Sequence, residues 1–181
     1  MRIISWNVNG VRACFKKGLE GFVRTEKPDV LCLQETKAHP EQCEPSILNL
    51  LSPFNAWASA QKKGYSGVAT FSTALPKSHQ IGLGIEEFDS EGRVVVTDHG
   101  DFLLYNIYFP NGQKDDIRQA YKLKFHQSLL MKVREKLKSG RQVIVVGDYN
   151  VAPNEIDIFD SKKYQGTSGF LPVERDWFQS F

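Results

Sequence analysis

Val143-Ile144-Val145-Val146-Gly147-Asp148-Tyr149-Asn150 is the stretch on which the fold of this sequence depends. Four β-branched apolar residues in succession predict a strand that is buried on both of its faces. The apolar run stops at Gly147, and a carboxylate and an amide follow within three residues. Such a strand can hold Asp148 and Asn150 rigidly at the mouth of a cleft, as a catalytic site requires. The same residues also suit an ordinary surface turn, so this stretch alone leaves both interpretations open.

The same pattern, an apolar strand followed by polar side chains, recurs at three other places. The segment 2–7 leads to Asn7 and Asn9, the segment 30–33 leads to Glu35, and the segment 102–109 leads to Tyr108 and Asn111. One such strand end means little, because turns are rich in these residue types. Four of them together predict a single polar cleft along one edge of the sheets.

The residue types at these strand ends favour metal-assisted hydrolysis of a phosphoester. Glu35 and an asparagine amide would supply hard oxygen ligands, which suit Mg²⁺ or Mn²⁺ and not zinc. Asp148 would orient or deprotonate a water, while Asn and Tyr side chains would donate hydrogen bonds to phosphate oxygens. The sequence has no Gly-rich Walker loop, GxSxG elbow or HExxH motif, which weakens the NTPase, serine hydrolase and zinc peptidase interpretations.

Helical patterns alternate with the strands and define the fold class. Apolar spacing predicts helices over 11–25, 40–51, 115–138 and 172–181, and further strands at 54–59, 67–72, 79–83 and 93–97. In the helix 115–138, Ile117, Phe125 and Leu137 belong to a buried stripe that recurs every four residues. Lys122 is assigned to the outer face, which is interpreted as solvated in preference to a DNA-contacting surface. This alternation indicates an α/β or mixed α+β class built on sheets covered by helices.

Composition places the chain among ordinary soluble globular proteins. Its 181 residues suit one domain spanning 1–181, and 41% of them are apolar, which is enough for a sizeable core. The net charge of +2 does not oppose a polyanionic partner. The sequence shows neither a signal peptide nor an apolar run long enough to cross a membrane. Three cysteines without CxxC spacing suit a reducing compartment. A cytoplasmic protein is therefore expected.

Four blocks of the sequence resemble the signature blocks of the exonuclease III family of abasic-site endonucleases, which belongs to the endonuclease/exonuclease/phosphatase superfamily. They are 5–13 (SWNVNGVRA), 33–37 (LQETK), 108–112 (YFPNG) and 147–152 (GDYNVA), and 168–175 (SGFLPVER) is similar to a further family block. The resemblance covers residues 1–181. It implies an α/β, four-layer sandwich in which two mixed β-sheets pack face to face with helices outside.

The resemblance implies a role for each residue at the strand ends. Glu35 is similar to the main metal ligand of the family, with Asn7 beside it, and the metal is expected to be Mg²⁺ or Mn²⁺. Asp148 is similar to the residue that activates the attacking water, and Asn150 to the residue that positions phosphate and water. Tyr108 resembles the tyrosine that the family directs at the scissile phosphate, although a core tyrosine is the alternative.

Further residues are expected to support the site or to contact DNA. Asn9 and Asn111 match supporting positions, and both also suit a role in turns. Phosphate contacts are expected from residues near the cleft, although loop positions of this kind also suit plain surface loops. These candidates are Lys37, Lys163, Gln165, Thr167 and Ser168.

The implied function is that of a Mg²⁺-dependent DNA repair nuclease that acts as a monomer. It would cut duplex DNA on the 5′ side of abasic sites and remove nucleotides from 3′ ends. Two alternatives stay open: another phosphodiesterase of the superfamily, acting on inositol phosphates or sphingomyelin, and a catalytically dead DNA-binding fragment. The sequence does not fix the balance among endonuclease, exonuclease and phosphatase activities, or the number of metal ions.

The sequence also departs from the family pattern. The family continues past this point with further strands and a terminal Ser-Asp-His block, whereas none of the four histidines here stands in such a block. We therefore expect the late strands of the second sheet to be missing, and this chain on its own to be inactive or weak.

Overall fold

The computed structural model describes residues 1–181, which form two four-stranded mixed sheets and six α-helices. The strands are β1 (Ile3–Asn7), β2 (Val30–Gln34), β3 (Phe54–Ala58), β4 (Val68–Ser72), β5 (Ser78–Ile81), β6 (Val94–Asp98), β7 (Phe102–Tyr108) and β8 (Gln142–Asp148). The helices are α1 (Val11–Lys16), α2 (Leu19–Glu26), α3 (Pro45–Leu48), α4 (Glu86–Asp89), α5 (Asp116–Lys138) and α6 (Pro172–Ser180). None of these helices has both the length and the apolar composition that crossing a bilayer requires.

The chain divides into two compact units. The first comprises Met1–Tyr108 and Lys136–Asp148 and contains all eight strands, whereas the second comprises Phe109–Glu135 and Tyr149–Phe181 and contains most of α5 and all of α6. The expectation of a single domain over 1–181 stays a prediction.

Each sheet of the first unit contains one parallel strand pair. The first sheet has the order β1-β2-β4-β3 with β1 parallel to β2, and the second has the order β5-β6-β7-β8 with β7 parallel to β8. Parallel neighbours need a long crossover, and here α1 with α2, and then α5, provide it. As a result, the carboxyl ends of two strands lie side by side in each sheet.

Strand β2 shows why the two sheets pack face to face. Its side chains alternate between the two faces of the sheet, and all five of its residues are buried. Leu31 and Leu33 pack in the core that includes residues of α1, α2 and α3, whereas Val30 and Cys32 pack with Leu104 of β7. The α/β class with two packed mixed sheets is thereby confirmed.

A buried amide of β7 fixes the register between the two sheets. Asn106 is fully buried, and its Nδ2 donates hydrogen bonds to the Ala69 carbonyl at 2.9 Å and to Thr70 Oγ1 at 3.1 Å. Its Oδ1 accepts a hydrogen bond from Gln34 Nε2 at 2.7 Å. Because an unpaired buried amide is costly, these bonds favour one alignment of the sheets.

The strand 142–148 has the predicted position, but the prediction that it is buried on both faces is wrong. Strand β8 is an edge strand that pairs only with β7, and every one of its residues is at least partly exposed. Ile144 is 38% exposed. A run of β-branched residues is typical of interior strands, but the run does not reveal how many neighbours the strand has.

Two predicted helices are interrupted where the backbone requires it. The helix predicted over 11–25 is divided into α1 and α2 at Gly18, which has a left-handed φ of 105°. The helix predicted over 40–51 is replaced by a 3₁₀ turn, Pro40–Gln42, and by α3. Pro45 begins α3 and holds the preceding residue, Glu44, in an extended conformation.

The buried stripe of α5 is also partly mispredicted. Ile117 is 82% exposed and Leu137 is 49% exposed, whereas Lys122 is fully buried. The assignment of Lys122 to the solvated face is therefore wrong. Its partner is Glu174, which lies far away in the sequence, so helical periodicity could not reveal it.

The ion pair between Asp98 and Arg141 is expected to make stability depend on pH. Arg141 donates two hydrogen bonds to Asp98, at 2.8 and 3.0 Å, and the Gly100 N–H donates another. These bonds lower the pKa of Asp98 from 3.8 to about 2. A lowered carboxyl pKa stabilises the fold above the unfolded-state pKa, and this stabilisation is lost as pH falls through the folded-state value.

Asp98→Asn should therefore lower the free energy of unfolding most at neutral pH, and the difference from wild type should shrink between about pH 4 and about pH 2. Urea unfolding across that range measures the difference. Asp101→Asn, at an exposed neighbouring position, is the control. A difference that stays constant down to the lowest pH would contradict this role for Asp98.

Candidate functional site

The four predicted strands end close to one another within the first unit. In the parallel pair β1 and β2, Asn7 stands opposite Gln34, which immediately precedes Glu35. In the parallel pair β7 and β8, Tyr108 stands opposite Asp148. Because the two sheets face each other, their carboxyl ends form one polar cluster, which we call the carboxylate cluster: Asn7, Glu35, Tyr108 and Asp148.

Asn7 connects the two carboxylates of this cluster. Its Nδ2 donates a hydrogen bond to Glu35 Oε1 at 3.0 Å and another to Asp148 Oδ2 at 2.8 Å. Its Oδ1 accepts the backbone N–H of Asn9 at 2.9 Å. The amide therefore visibly positions both carboxylates, while its role as a metal ligand through Oδ1 stays a prediction.

Glu35 is held in its ionised form by three neighbours. Burial alone would raise its pKa, but hydrogen bonds from Asn7, Lys37 and Tyr108 outweigh burial and lower the pKa below its ordinary value. Lys37 Nζ lies 2.9 Å from Glu35 Oε2 and also donates a hydrogen bond to Asn9 Oδ1. Glu35 is thus a charged oxygen donor near neutral pH, as a metal ligand must be.

Tyr108 is kept protonated by the same surroundings. Burial, followed by its hydrogen bond to Glu35, raises the pKa of Tyr108 well above its ordinary value. The guanidinium of Arg93 lies 4.9 Å from the centre of the Tyr108 ring and donates a hydrogen bond to the Tyr108 carbonyl at 2.9 Å. A fixed, neutral tyrosine hydroxyl suits hydrogen-bond donation to a phosphate oxygen.

Strained backbone accompanies the carboxylate cluster. Asn9, Glu35 and Lys37 have positive φ values of 44°, 52° and 49°, which are uncommon for residues other than glycine. Backbone bonds secure the strained turn: Gly10 N–H donates to the Glu35 carbonyl, and Lys37 N–H donates to the Ser66 carbonyl. Strain of this kind concentrates at functional sites, where the surroundings hold it in place.

The donor set fits a hard divalent cation. Two carboxylates converge on one amide nitrogen, and Lys37 is the cation paired with one of them. Mg²⁺ is commonly bound by one or two carboxylates and completes its shell with water and substrate phosphate. Glu35, Asp148 and the Asn7 amide could supply such ligands. No group of three or more His, Cys, Asp or Glu side chains forms a ready metal cage.

The second unit contains the other two predicted asparagines. Asn150 has a left-handed φ of 50°, and its Nδ2 donates a hydrogen bond to the Phe109 carbonyl at 2.8 Å. Asn111 is exposed, and its Oδ1 accepts the Gln113 N–H at 2.8 Å. This bond is typical of an asparagine in a turn, the role that the sequence offered as the alternative to a supporting role in the site. Both line a cleft of about 380 Å³ together with Thr167 and Ser168.

The residues predicted to bind DNA differ in what they can offer. The side chains of Lys163 and Gln165 are exposed. Thr167 Oγ1 donates a hydrogen bond to the Tyr164 carbonyl, and Ser168 Oγ donates one to Glu174. Lys37 is paired with Glu35, and the hydroxyls of Thr167 and Ser168 are bonded within the protein. Lys163 and Gln165 are therefore the candidates whose polar groups are most accessible to a phosphate.

Sequence reasoning missed three residues that hold the predicted ones in place. They are Arg93, which lies beside Tyr108, and the buried pair Lys122 and Glu174. All three are buried charged residues, and each has a contact with a residue at least 15 positions away in the sequence. A weak signal was available for Glu174, because it stands three residues after Leu171 and directly follows Pro172-Val173, as a capping glutamate does at a helix start.

Comparison with known proteins identifies the family of this chain. Residues 4–180 match the model of the endonuclease/exonuclease/phosphatase family. The exodeoxyribonuclease of Bacillus subtilis is 37% identical over 100% of this chain and 71% of its own length. The zebrafish DNA repair nuclease APEX1 is 38% identical over 98% of this chain and 58% of its own length.

Solved structures show the same fold. The 3′-5′ exonuclease of Neisseria meningitidis superposes with a TM-score of 0.87 and 28% identity, covering 99% of this chain and 69% of that one. An AP endonuclease from Archaeoglobus fulgidus has a TM-score of 0.86 and 26% identity, covering 99% and 68%. The family expected from the signature blocks is confirmed: the chain belongs to the endonuclease/exonuclease/phosphatase family.

Proposed function

We propose that this chain carries catalytic residues of a divalent-metal-dependent DNA repair nuclease. The enzyme would hydrolyse the phosphodiester on the 5′ side of abasic sites and remove nucleotides from 3′ ends of duplex DNA. The observation that carries this proposal is the carboxylate cluster, in which Glu35 and Asp148 share hydrogen bonds from Asn7. Because the chain spans 71% of the Bacillus relative and 58% of the zebrafish relative, the activity of the whole protein is part of the proposal.

Relatives supply the substrate class. Their names include exodeoxyribonuclease, DNA repair nuclease and apurinic or apyrimidinic site endonuclease. A Neisseria 3′ phosphatase with the same fold is bound to a product DNA hairpin. The family is one of metal-dependent nucleases, and the hard oxygen donors of Glu35 and Asp148 support Mg²⁺ as the ion, with Mn²⁺ as a substitute.

Glu35 is the proposed principal ligand of the cation, with Asn7 beside it. Its lowered pKa keeps it ionised, and Lys37 and Tyr108 restrict its orientation through hydrogen bonds. When bound, the cation would polarise the phosphate and steady the leaving oxygen. The strained turn at 35–37 presents the carboxylate from the end of a fully buried strand, so the ligand cannot move far.

Three residues would act on the reacting groups. Asp148 would accept the proton of the attacking water and orient it towards phosphorus. Tyr108 has a single hydroxyl proton, which it donates to Glu35 in the free site. With the Glu35 oxygens engaged by a cation, Tyr108 would donate that hydrogen bond instead to a non-bridging phosphate oxygen as negative charge develops there. Asn150 would position the phosphate and the water through its carboxamide.

The cellular setting belongs to the same proposal. The three cysteines of the chain are unpaired thiols, which suits a reducing compartment such as the cytoplasm. We propose a monomer that binds duplex DNA, with exposed Lys163 and Gln165 contacting the backbone. Phosphate contacts release counterions, so binding should weaken steeply as salt rises.

A cleavage assay under single-turnover conditions tests the proposal. Excess chain 1–181 is mixed with a labelled duplex that carries one abasic analogue, with the same duplex carrying an intact base, and separately with sphingomyelin and inositol phosphates. The expected result is Mg²⁺-dependent cleavage on the 5′ side of the lesion, abolished by EDTA and by Glu35→Gln. The rate is expected to be below that of the complete Bacillus enzyme assayed in parallel.

Each other outcome counts against a stated part of the proposal. Turnover of sphingomyelin or inositol phosphates without DNA cleavage would contradict the nuclease. Tight, salt-dependent duplex binding without cleavage at saturating Mg²⁺ would replace it with a DNA-binding role. A rate equal to that of the Bacillus enzyme would contradict the expectation that this chain alone is weak.

A further inference from the structure

The block 168–175, which the proposed function leaves without a role, is organised around one buried carboxylate. Glu174 is 0% exposed, and its two oxygens accept four hydrogen bonds besides its ion pair. The donors are Gln119 Nε2 at 3.0 Å, Ser168 Oγ at 3.1 Å, Gly169 N at 2.6 Å and Leu171 N at 3.1 Å. Helix α5 and the turn before α6 therefore both donate hydrogen bonds to the carboxylate of Glu174.

Lys122 connects Glu174 to Asn150. Its ammonium is fully buried and lies 2.6 Å from Glu174 Oε1. The same Nζ donates a hydrogen bond to the backbone carbonyl of Asn150 at 2.7 Å. Lys122 therefore links the buried carboxylate of Glu174 to Asn150, the residue proposed to position the phosphate.

Hydrogen bonds restrain both the side chain of Asn150 and the backbone that follows it. Its side-chain amide is bonded to the Phe109 carbonyl, and two residues further along Ala152 N–H donates to the Gly169 carbonyl at 2.8 Å. Asn tolerates a left-handed φ better than most residues other than glycine, so the restraint on the orientation of Asn150 comes from hydrogen bonds and not from the φ value itself. The network of Lys122, Glu174 and Gly169 supplies that restraint.

The block 108–112 also contacts this network. A Cβ atom at Gly112 would lie 1.9 Å from Gln119 Oε1 and 2.6 Å from Ser168 Oγ. A side chain at position 112 would therefore force the ends of Gln119 and Ser168, both of which bond to Glu174, to move. Two signature blocks are therefore packed against the same side chains.

Ion-pair energetics indicate that stability alone does not explain the pair. Burial raises the pKa of Glu174, but the bonds from Lys122, Gln119 and Leu171 outweigh it and lower the pKa, so the carboxylate is charged. Replacing a buried ion pair with apolar residues of similar volume is often neutral or stabilising, whereas removing one partner is costly. The contacts of this pair with three segments of the chain make a role in fixing geometry the alternative to stability.

We propose that Lys122 and Glu174 are positioning residues that hold Asn150 in its left-handed conformation, so that its carboxamide is presented to the scissile phosphate. This inference rests on the proposed function for its catalytic part. Its structural part, the immobilisation of Asn150, is independent of any activity.

The test compares a double variant, Lys122→Met with Glu174→Met, with wild-type chain 1–181. Methionine approximates the length of both side chains, so the variant removes the network without leaving a lone buried charge. Nitrogen-15 NMR follows the side-chain amide signals of Asn150, assigned by their loss in Asn150→Asp. Single-turnover cleavage of the abasic duplex is measured over a range of chain concentrations. This gives two values, the cleavage rate at saturation and the chain concentration at which the rate is half of that maximum.

Leu129→Ala is the matched control. Leu129 is fully buried on the same helix, and the cavity left by its truncation lowers stability. It belongs to no contact of the Lys122–Glu174 network described above. The melting temperatures of both variants are measured, so that their cleavage rates and Asn150 signals can be compared at similar losses of stability.

The expected result is a large shift of the Asn150 amide signals in the double variant and none in the control. The saturating cleavage rate should fall about tenfold or more, with the half-saturating concentration changed by less than about twofold, because misplacement affects the reacting geometry more than binding. Unshifted Asn150 signals would overturn the inference. So would a rate loss no greater than that of Leu129→Ala at an equal loss of melting temperature.

Two further outcomes remain informative. If the double variant does not fold, Gln119→Met removes a single donor to Glu174 and should shift the Asn150 signals in a milder way; unchanged signals would overturn the inference. If the wild-type chain cleaves no substrate, the result agrees with the weakness expected of chain 1–181 on its own, and the NMR signals alone decide whether the pair immobilises Asn150.

Discussion

Asp148→Asn is expected to lower the single-turnover rate of abasic-site cleavage by about a thousandfold, which corresponds to about 4 kcal/mol of barrier. Asparagine has the shape of aspartate and retains an oxygen that can accept the Asn7 amide, whose bond to Asp148 is 2.8 Å long. The variant should therefore fold normally. It cannot take a proton from the attacking water, and it removes one of the two negative charges of the carboxylate cluster.

Binding measurements distinguish this effect from misfolding. Fluorescence anisotropy with the abasic duplex should give an affinity for Asp148→Asn at least equal to that of wild type, because a negative charge near the phosphate has been removed. Asp101→Asn is the control, since Asp101 is exposed and lies outside the carboxylate cluster. A rate for Asp148→Asn within about tenfold of wild type would contradict its role as the water-activating group.

Gly147→Ala is expected to destabilise the fold by about 3–5 kcal/mol, because backbone strain and a steric clash combine at this position. Gly147 has a φ of 145°, and a Cβ there would lie 1.8 Å from the Ile107 carbonyl oxygen. The neighbouring atoms are backbone of the paired strand β7, in which Ile107 stands opposite Gly147. They cannot rotate away as a side chain would, so the parallel pair must separate.

Thermal unfolding measures this effect, with a fall in melting temperature of roughly 10 °C. Gly140→Ala is the matched control, because Gly140 also has a positive φ, of 80°, but its Cβ would meet nothing within 4 Å. The control should lose about 1 kcal/mol from strain alone. If the two variants were equally stable, close approach to Ile107 would not be the reason for glycine at 147.

The polar ends of the strands could be predicted from the sequence because the signals are local. An apolar run followed by Asn, Glu or Asp identifies a strand and the chemistry at its end within a few residues. Asn7, Glu35, Tyr108 and Asp148 were each found in this way, and the structure brings all four together. Strand order was not needed for that prediction, because the parallel neighbours within each sheet already align their ends.

The features that escaped prediction depend on distant partners. The apolar run of β8 gave no indication that the strand lies at an edge, because the number of neighbours is a property of the whole sheet. The type and spacing of Lys122 suit an exposed helix face, but Glu174 from another helix and the carbonyl of Asn150 bind its ammonium in the interior. Likewise, no local pattern places Arg93 beside Tyr108.

The proposal that Glu35, with Asn7 beside it, binds a divalent cation is tested most directly by Mn²⁺ binding to chain 1–181, measured by electron paramagnetic resonance. This measurement does not require the chain to be active. If the site exists as described, the wild-type chain binds Mn²⁺, added Mg²⁺ displaces it, and Glu35→Gln weakens the affinity by about tenfold or more. Equal Mn²⁺ affinity in wild type and Glu35→Gln would contradict the site.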